Sequence, residues 1–141
     1  MTLKNDGRRS PCPISFALDL LGDKWSLLVI RDLVFAHKRH FADFLASPEG
    51  IASNILASRL KNLEASGILS RRADPDSARK VIYELTPKGI DLVPVLIDLI
   101  SWGARHDPKT AAPEAFIKRI DEDRDGMIAE IRAGLAKEPP G

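Results

Sequence analysis

The stretch GIASNILASRLKNLEASGILSRRADPDSARKVIYELTPKG, residues 50–89, changes its hydrophobic period part-way through, and that change decides the fold class. Up to Gly67, Leu56, Leu60 and Leu63 recur at helical spacing with Ile55 beside them, so residues 51–67 are expected to form one amphipathic helix. Gly67 is placed to end it, since glycine enters the left-handed C-terminal conformation without a Cβ penalty. Beyond Gly67, ILSRRA and RKVIYEL have the composition of two short strands, and Asp74-Pro75-Asp76 within DPDSA favours a turn between them. A helix followed by an antiparallel hairpin with a basic base is the expectation.

Working outward, HFADFLA at 40–46 puts Phe41, Phe44 and Leu45 on one side of a short helix, and SPEG at 47–50 is a turn signal. In KWSLLVIRDLVFA, residues 24–36, the positions Trp25, Leu28, Val29, Leu33 and Phe35 or Ala36 recur as a core face. Lys24, Arg31 and Asp32 fall on its surface side, and Asp23 is a suitable N-cap. A shorter apolar run, with Ile14, Phe16, Leu18, Leu20 and Leu21, precedes it and stops at Gly22.

On the C-terminal side Thr86 and Pro87 open a helix expected to run to about residue 105. Its stripe of Leu92, Val95, Leu96, Leu99, Ile100 and Trp102 is wider than a core on one side needs. Asp107-Pro108 breaks it. A last amphipathic helix over 113–137 carries Phe116, Ile117, Ile120, Met127, Ile128, Ile131 and Leu135, and a second copy of the chain is the simplest surface to cover it. The expected organisation is a flexible tail at 1–11, a winged helix-turn-helix domain at 12–106, a linker at 107–112, the helix at 113–137 and a tail at 138–141. The expected fold class is mainly α with a small β-hairpin, a winged helix-turn-helix extended by additional N- and C-terminal helices.

A chain of 141 residues can bury one moderate core without metals or disulfides. No apolar run approaches the ~20 residues that span a bilayer, and the polar N-terminus lacks a signal-peptide core, so a cytoplasmic protein is expected. Net charge is only +1, but the signs are segregated. His37, Lys38, Arg39 and His40 form one basic cluster, Arg71, Arg72, Arg79 and Lys80 another, whereas IDEDRDG at 120–126 is acidic. Such a chain can present a positive face to nucleic acid while remaining nearly neutral.

A helix with a small polar face followed by a basic hairpin can lay that face in the major groove while the hairpin neutralises phosphates. Ser53, Asn54, Ala57, Ser58, Arg59 and Lys61 are the expected groove residues, and Asn54 is foremost because a carboxamide pairs in bidentate fashion with adenine. Lys38, Arg39, His40, Arg71, Arg72, Arg79 and Lys80 are the expected backbone and wing residues. The plainer alternative is that Ser53 and Asn54 cap or solvate a helix start and that the wing cations face water.

The same residues carry a family resemblance. Cys12-Pro13, LDLLGDKW from Leu18, RHFADF from Arg39, GIASNILASRL from Gly50, LEASGIL from Leu63, YELTPKG from Tyr83 and the closing Trp102-Gly103 resemble, in order and spacing, the HxlR-type winged-helix transcriptional regulators of bacteria. The likeness covers about residues 12–105. It implies a homodimer on double-stranded DNA at a pseudo-palindromic operator, non-enzymatic and without cofactor or metal, dimerising through the N-terminal segment and C-terminal helices. The wing departs from the family pattern, with Ala73 where an aromatic and Ala78 where a proline often stand, and with an acidic tip.

Cys12, the single cysteine, precedes a helix start near Arg8 and Arg9, where a thiolate is favoured. It is a candidate redox sensor, as some family members sense oxidants at this place; the alternative is a small apolar filler. Catalysis by Cys12 lacks support, because His37, His40 and His106 show no acidic partner in the sequence. Asp121, Asp123, Asp125 and Gly126 match the opening of a calcium loop, but the twelfth position is Arg132 instead of glutamate. Phe16, Trp25, Phe35 and Trp102 are either a pocket for an unknown effector or core. The functional alternative to DNA readout is a winged-helix module that docks another protein.

Overall fold

The period change at Gly67 is a structural boundary. In the computed structural model, which describes residues 8–136, α4 runs Ser53–Ala65 and is followed by β1 Leu69–Asp74 and β2 Ser77–Leu85. Gly67 adopts φ +79°, the Gly67 amide donates to the Glu64 carbonyl and the Ile68 amide to the Leu63 carbonyl, each at 3.0 Å. This pair of bonds satisfies two orphan carbonyls of α4 and turns the chain into β1. The strands pair antiparallel, Leu69 with Leu85, Arg71 with Tyr83 and Ala73 with Val81. The turn is tighter than expected: Asp74 pairs with Ser77, leaving only Pro75 and Asp76 between the strands.

Before this unit come α1 Pro13–Leu21, α2 Ser26–Phe35 and α3 Phe41–Leu45; after it come α5 Pro87–Ile90, α6 Val93–His106 and α7 Glu114–Ala136. Leu56, Leu60 and Leu63 of α4 are buried with Ile30 and Val29 of α2, Phe44 of α3, and Ile68 and Leu69 at the start of the hairpin. Val93 and Ile97 close this core from α6. These interlocked side chains, each giving roughly 1.5–3 kcal/mol on burial, fix the angle between α4 and the rest.

Four further expectations change. Asp32 is buried, not on the surface, because Ser47, Lys38 and Arg31 surround its carboxylate. The helix opened by Thr86 is two helices, α5 and α6, divided at Asp91 and Leu92: Pro94 lacks an N–H and fits only in the first turn of a new helix. His40 does have acidic partners, Asp74 and Asp43. The kink in α7 falls at Asp123 (φ −149°, ψ 53°), three residues before Gly126, because Asp123 caps the following segment by accepting from the Gly126 amide at 3.3 Å. The expected tails at 1–7 and 138–141, and the helix end at Lys137, lie outside the described residues.

The apolar stripe of α6 is divided. Leu96 and Ile97 face inward, while Val95, Leu99 and Trp102 are exposed, as are Ile14, Phe16 and Leu18 of α1. Among the described residues no helix is long and apolar enough to cross a membrane.

Candidate nucleic-acid interface

Because Leu56, Leu60 and Leu63 point into the core, the other side of α4 faces outward. Ser53, Asn54, Ala57 and Lys61 are exposed on it and Ser58 is half-buried. Gly50 (φ +74°) and Ile51, whose side chain is buried, bring the chain to the start of α4, where Ala52 supplies no side-chain cap. The first amides of α4 therefore remain available to an external acceptor. Arg59 is not among the outward-facing side chains. Its guanidinium lies over the α1–α2 junction, 3.8 Å from Asp23 and 3.1 Å from the Ser58 hydroxyl, with Nε buried and unpartnered.

Asp23 itself organises that junction, accepting from the Trp25 and Ser26 amides at 3.0 and 2.9 Å and from the Ser26 hydroxyl at 2.6 Å. Burial works against its charge, but the bonds from Ser26 and Trp25 prevail and hold its carboxyl below the usual range.

The wing cations divide into two groups. Arg72 Nε lies 2.6 Å from Glu84, Arg39 3.4 Å from the same carboxylate, and Arg72 Nη2 is buried without a partner. Lys38 Nζ donates to the Ser47 hydroxyl at 2.8 Å, and His40 Nε2 is 2.8 Å from Asp74. These four side chains are tied into the protein. Arg71, Arg79 and Lys80 project outward, Arg71 with a loose contact of 3.4 Å to Glu64. Arg79 and Lys80 sit where the pairing register shifts: Val81 opposes Ala73 and Ser77 opposes Asp74, so 78–80 bulge from the hairpin.

Cys12 is exposed and free at the start of α1, its amide donating to the Ser10 hydroxyl at 3.2 Å. The four aromatic residues named as a pocket do not converge. Phe35 meets Phe116 edge-on at 6.0 Å and lines an apolar groove of about 470 Å³ with Leu28, Leu99 and Ile100. Trp25 lies beside Lys24, Trp102 stacks near His106 at 66% exposure, and Phe16 is exposed on α1. The roles of Glu84 and Asp32 escaped the sequence reading because Glu84 meets Arg39 across 45 residues and Asp32 is enclosed by Ser47 from 15 residues away.

An outward polar helix face beside a bulge of cations, on a core that locks both, is a helix-turn-helix with its wing. Residues 20–111 match the model of the family described as HxlR-like helix-turn-helix. The chain belongs to the HxlR family. It is 39% identical over 93 residues to the HTH-type transcriptional regulator sll1512 of Synechocystis, covering 66% of this chain and 68% of that protein. It is 38% identical to the HTH-type transcriptional regulator YodB of Bacillus subtilis over 64% of this chain and 81% of YodB. Among solved structures, the reduced form of YodB superposes with a TM-score of 0.57 at 32% identity, covering 72% of this chain and 99% of that one. The redox regulator HypR in its reduced form gives 0.62 at 28% identity, with 69% and 95% covered. This HxlR-family chain is a DNA-binding transcription regulator with a winged helix-turn-helix fold.

Proposed function

We propose that the protein acts in the cytoplasm as a non-enzymatic homodimer on a pseudo-palindromic operator, with the first turns of α4 in the major groove and the wing against the adjacent backbone. The observation that carries this reading is the exposed face of Ser53, Asn54, Ala57 and Lys61 on a helix whose other face is locked by three buried leucines. Asn54 and Ser53, with Ser58 beside them, are the base-reading candidates; Arg71, Arg79 and Lys80 are the outward cations for phosphate. Arg39, His40 and Arg72 act on the backbone only by way of the wing they brace, Lys38 by way of the turn after α3 that it holds through Ser47, and Arg59 by holding α4 against Asp23. Exposed Ile14, Phe16 and Leu18 of α1 and Val95, Leu99 and Trp102 of α6 supply the apolar surface that a second copy would cover.

Fluorescence anisotropy tests this directly: the protein is titrated into its own upstream DNA and into a scrambled duplex over a salt series, with sedimentation for the oligomeric state. The expected result is a dimer that prefers the native duplex and loses affinity steeply with salt. Equal weak binding to both duplexes, with one protein partner recovered in stoichiometric amount, would favour the protein-docking alternative.

A second reading rests on Cys12. The HypR relative is named a redox regulator, YodB is recorded with quinone bound and after diamide treatment, and Cys12 here is an exposed thiol at the start of α1. Being the sole cysteine of the sequence, it can form a disulfide only with a second molecule. Release of DNA by oxidant in the native protein but not in Cys12→Ser is the expected outcome, and release from both would remove Cys12 as the sensor.

A further inference from the structure

The family match ends at residue 111, and α7, Glu114–Ala136, lies beyond it. Its apolar face is covered within the same chain: Ile120, Met127 and Ile128 are buried, and Phe116, Ile131 and Leu135 pack on the same core. The kink at Asp123 divides the helix into two segments. The first meets α2, with Phe116 edge-on to Phe35. Just past the kink Arg124 grips Asp98 of α6 through two bonds of 2.8 Å, and Arg119 donates to Glu130 at 2.6 Å, which ties the two segments together. The second segment reaches the root of the hairpin. Arg132 donates to Asp91 at 2.9 Å and to the Ile90 carbonyl at 3.5 Å, at the junction of α5 and α6. About one turn further, Leu135 lines with Leu33, Arg39, Tyr83, Glu84 and Leu85 a cavity of only about 40 Å³.

We propose that α7 is an internal brace for the wing, with Arg132 and Leu135 as positioning residues for DNA binding: they fix the root of the hairpin whose bulge carries Arg79 and Lys80. The proposal rests on the DNA-binding reading and assigns a part in it to a helix that the family match does not span. A two-stranded hairpin is marginal in water by itself and needs packing against another element. At the start of β1, Ile68 and Leu69 are buried in the core beside α4. At the end of β2, Tyr83, Glu84 and Leu85 are only half-buried, and Leu135 is the side chain of α7 that reaches them. Glu84 also holds Arg72 and Arg39, and the Tyr83 amide donates to the Arg39 carbonyl at 2.8 Å, so a shift at the root is passed to the strand. The hairpin acts as a lever. Lys80 stands five residues from Leu85, roughly 17 Å along an extended strand, so a tilt of about 10° at the root carries it about 3 Å. That displacement is as long as the contact it would make with a phosphate oxygen.

The test joins amide hydrogen exchange and anisotropy binding to one duplex, on the full chain carrying Leu135→Ala or Arg132→Ala, each with and without Arg79→Ala and Lys80→Ala. Leu135→Ala should bind about fivefold more weakly, as when the competent wing orientation falls to about one fifth of the molecules, and Arg132→Ala about twofold. Amides of 69–85 should exchange faster in both, while α2 and α4 stay as protected as in the native protein. Where Arg79 and Lys80 are already replaced, Leu135→Ala should weaken binding little further, because the contacts it would misplace are gone. An equal loss of affinity in both backgrounds would mark a merely structural role and overturn the proposal, as would hairpin exchange that neither variant changes. Should Leu135→Ala fail to fold, Arg132→Ala, at a side chain 41% exposed, decides by the same comparison. Faster hairpin exchange in a protein that binds no duplex would instead uphold the brace and defeat the DNA-binding reading beneath it.

Discussion

The Ser47 hydroxyl, just after α3, donates a hydrogen bond to the buried carboxylate of Asp32, near the end of α2. Lys38 binds the same hydroxyl at 2.8 Å and lies 3.6 Å from the carboxylate. Arg31, one residue before, contacts Asp32 and grips Glu49 at 2.6 and 2.9 Å. Two adjacent residues of α2 thus hold both sides of the turn at 47–50 that launches α4. A buried carboxylate is tolerable only when its lone pairs are used.

Asp32→Ala should accordingly cost about 2–4 kcal/mol, since it strands Ser47 and Lys38 beside a small cavity. Ser47→Ala should cost about 1 kcal/mol. Urea unfolding of both single variants and the double variant checks this: because the residues share one bond, the double loss should be clearly smaller than the sum. Strict additivity would show that the two act independently.

Gly126 and Gly134 both lie within α7, yet alanine should act oppositely at the two. A Cβ at Gly126 would run into the Asp123 carboxylate that caps its own amide, whereas one at Gly134 meets nothing within 4 Å. Gly134→Ala should stabilise by up to about 1 kcal/mol through helix propensity. Gly126→Ala should destabilise by about 1 kcal/mol, the worth of the cap it disrupts. Shifts of the same sign in thermal unfolding would mean that the Asp123 kink does not persist in solution.

What could be read in advance was local. The three leucines of α4, the Gly67 turn and the hairpin depend on neighbours within a few residues, and they stand where the periodicity puts them. The break between α5 and α6 was also signalled, by Pro94 inside an apolar stripe, and the stripe masked it. Asp32, by contrast, sits on a charged-looking helix side and is buried only because Ser47 arrives 15 residues later. His40 and Asp74 are separated by 34 residues, so nothing local in the sequence shows that Asp74 of the acidic tip is held by a histidine. Arg59 shows the same limit within one helix: its spacing suits the outward face, yet Asp23 draws it back to the α1–α2 junction.

Acid should weaken the protein through groups whose carboxyls are held low. For Asp23 the folded-state value lies below the unfolded one, so its contribution is complete above about pH 5 and is lost as pH falls through 4 and beyond. Asp23→Asn keeps the shape and removes the charge. It should be less stable than the native protein by about 1 kcal/mol at pH 7, with the gap closing toward pH 3. Urea midpoints at both pH values report this, and a gap that stayed constant would show that the Asp23 charge contributes nothing to stability.

The division of the wing cations into braced and outward groups separates two kinds of loss in DNA binding. Removing Arg79 and Lys80 together should weaken binding to native and scrambled duplexes alike and lower the slope of log affinity against log salt by about two, one for each phosphate contact. Arg72→Ala breaks the 2.6 Å contact to Glu84 and should leave that slope nearly unchanged while loosening the hairpin. Asn54→Ala should do neither: its cost, about 1–3 kcal/mol, should fall on the native duplex alone and narrow the preference over the scrambled one. Anisotropy titrations of these variants at several salt concentrations distinguish the outcomes. A salt slope that drops with Arg72 and not with Arg79 and Lys80 would mean that the Glu84 pair opens on DNA and that the braced face of the hairpin, not its bulge, meets the phosphates.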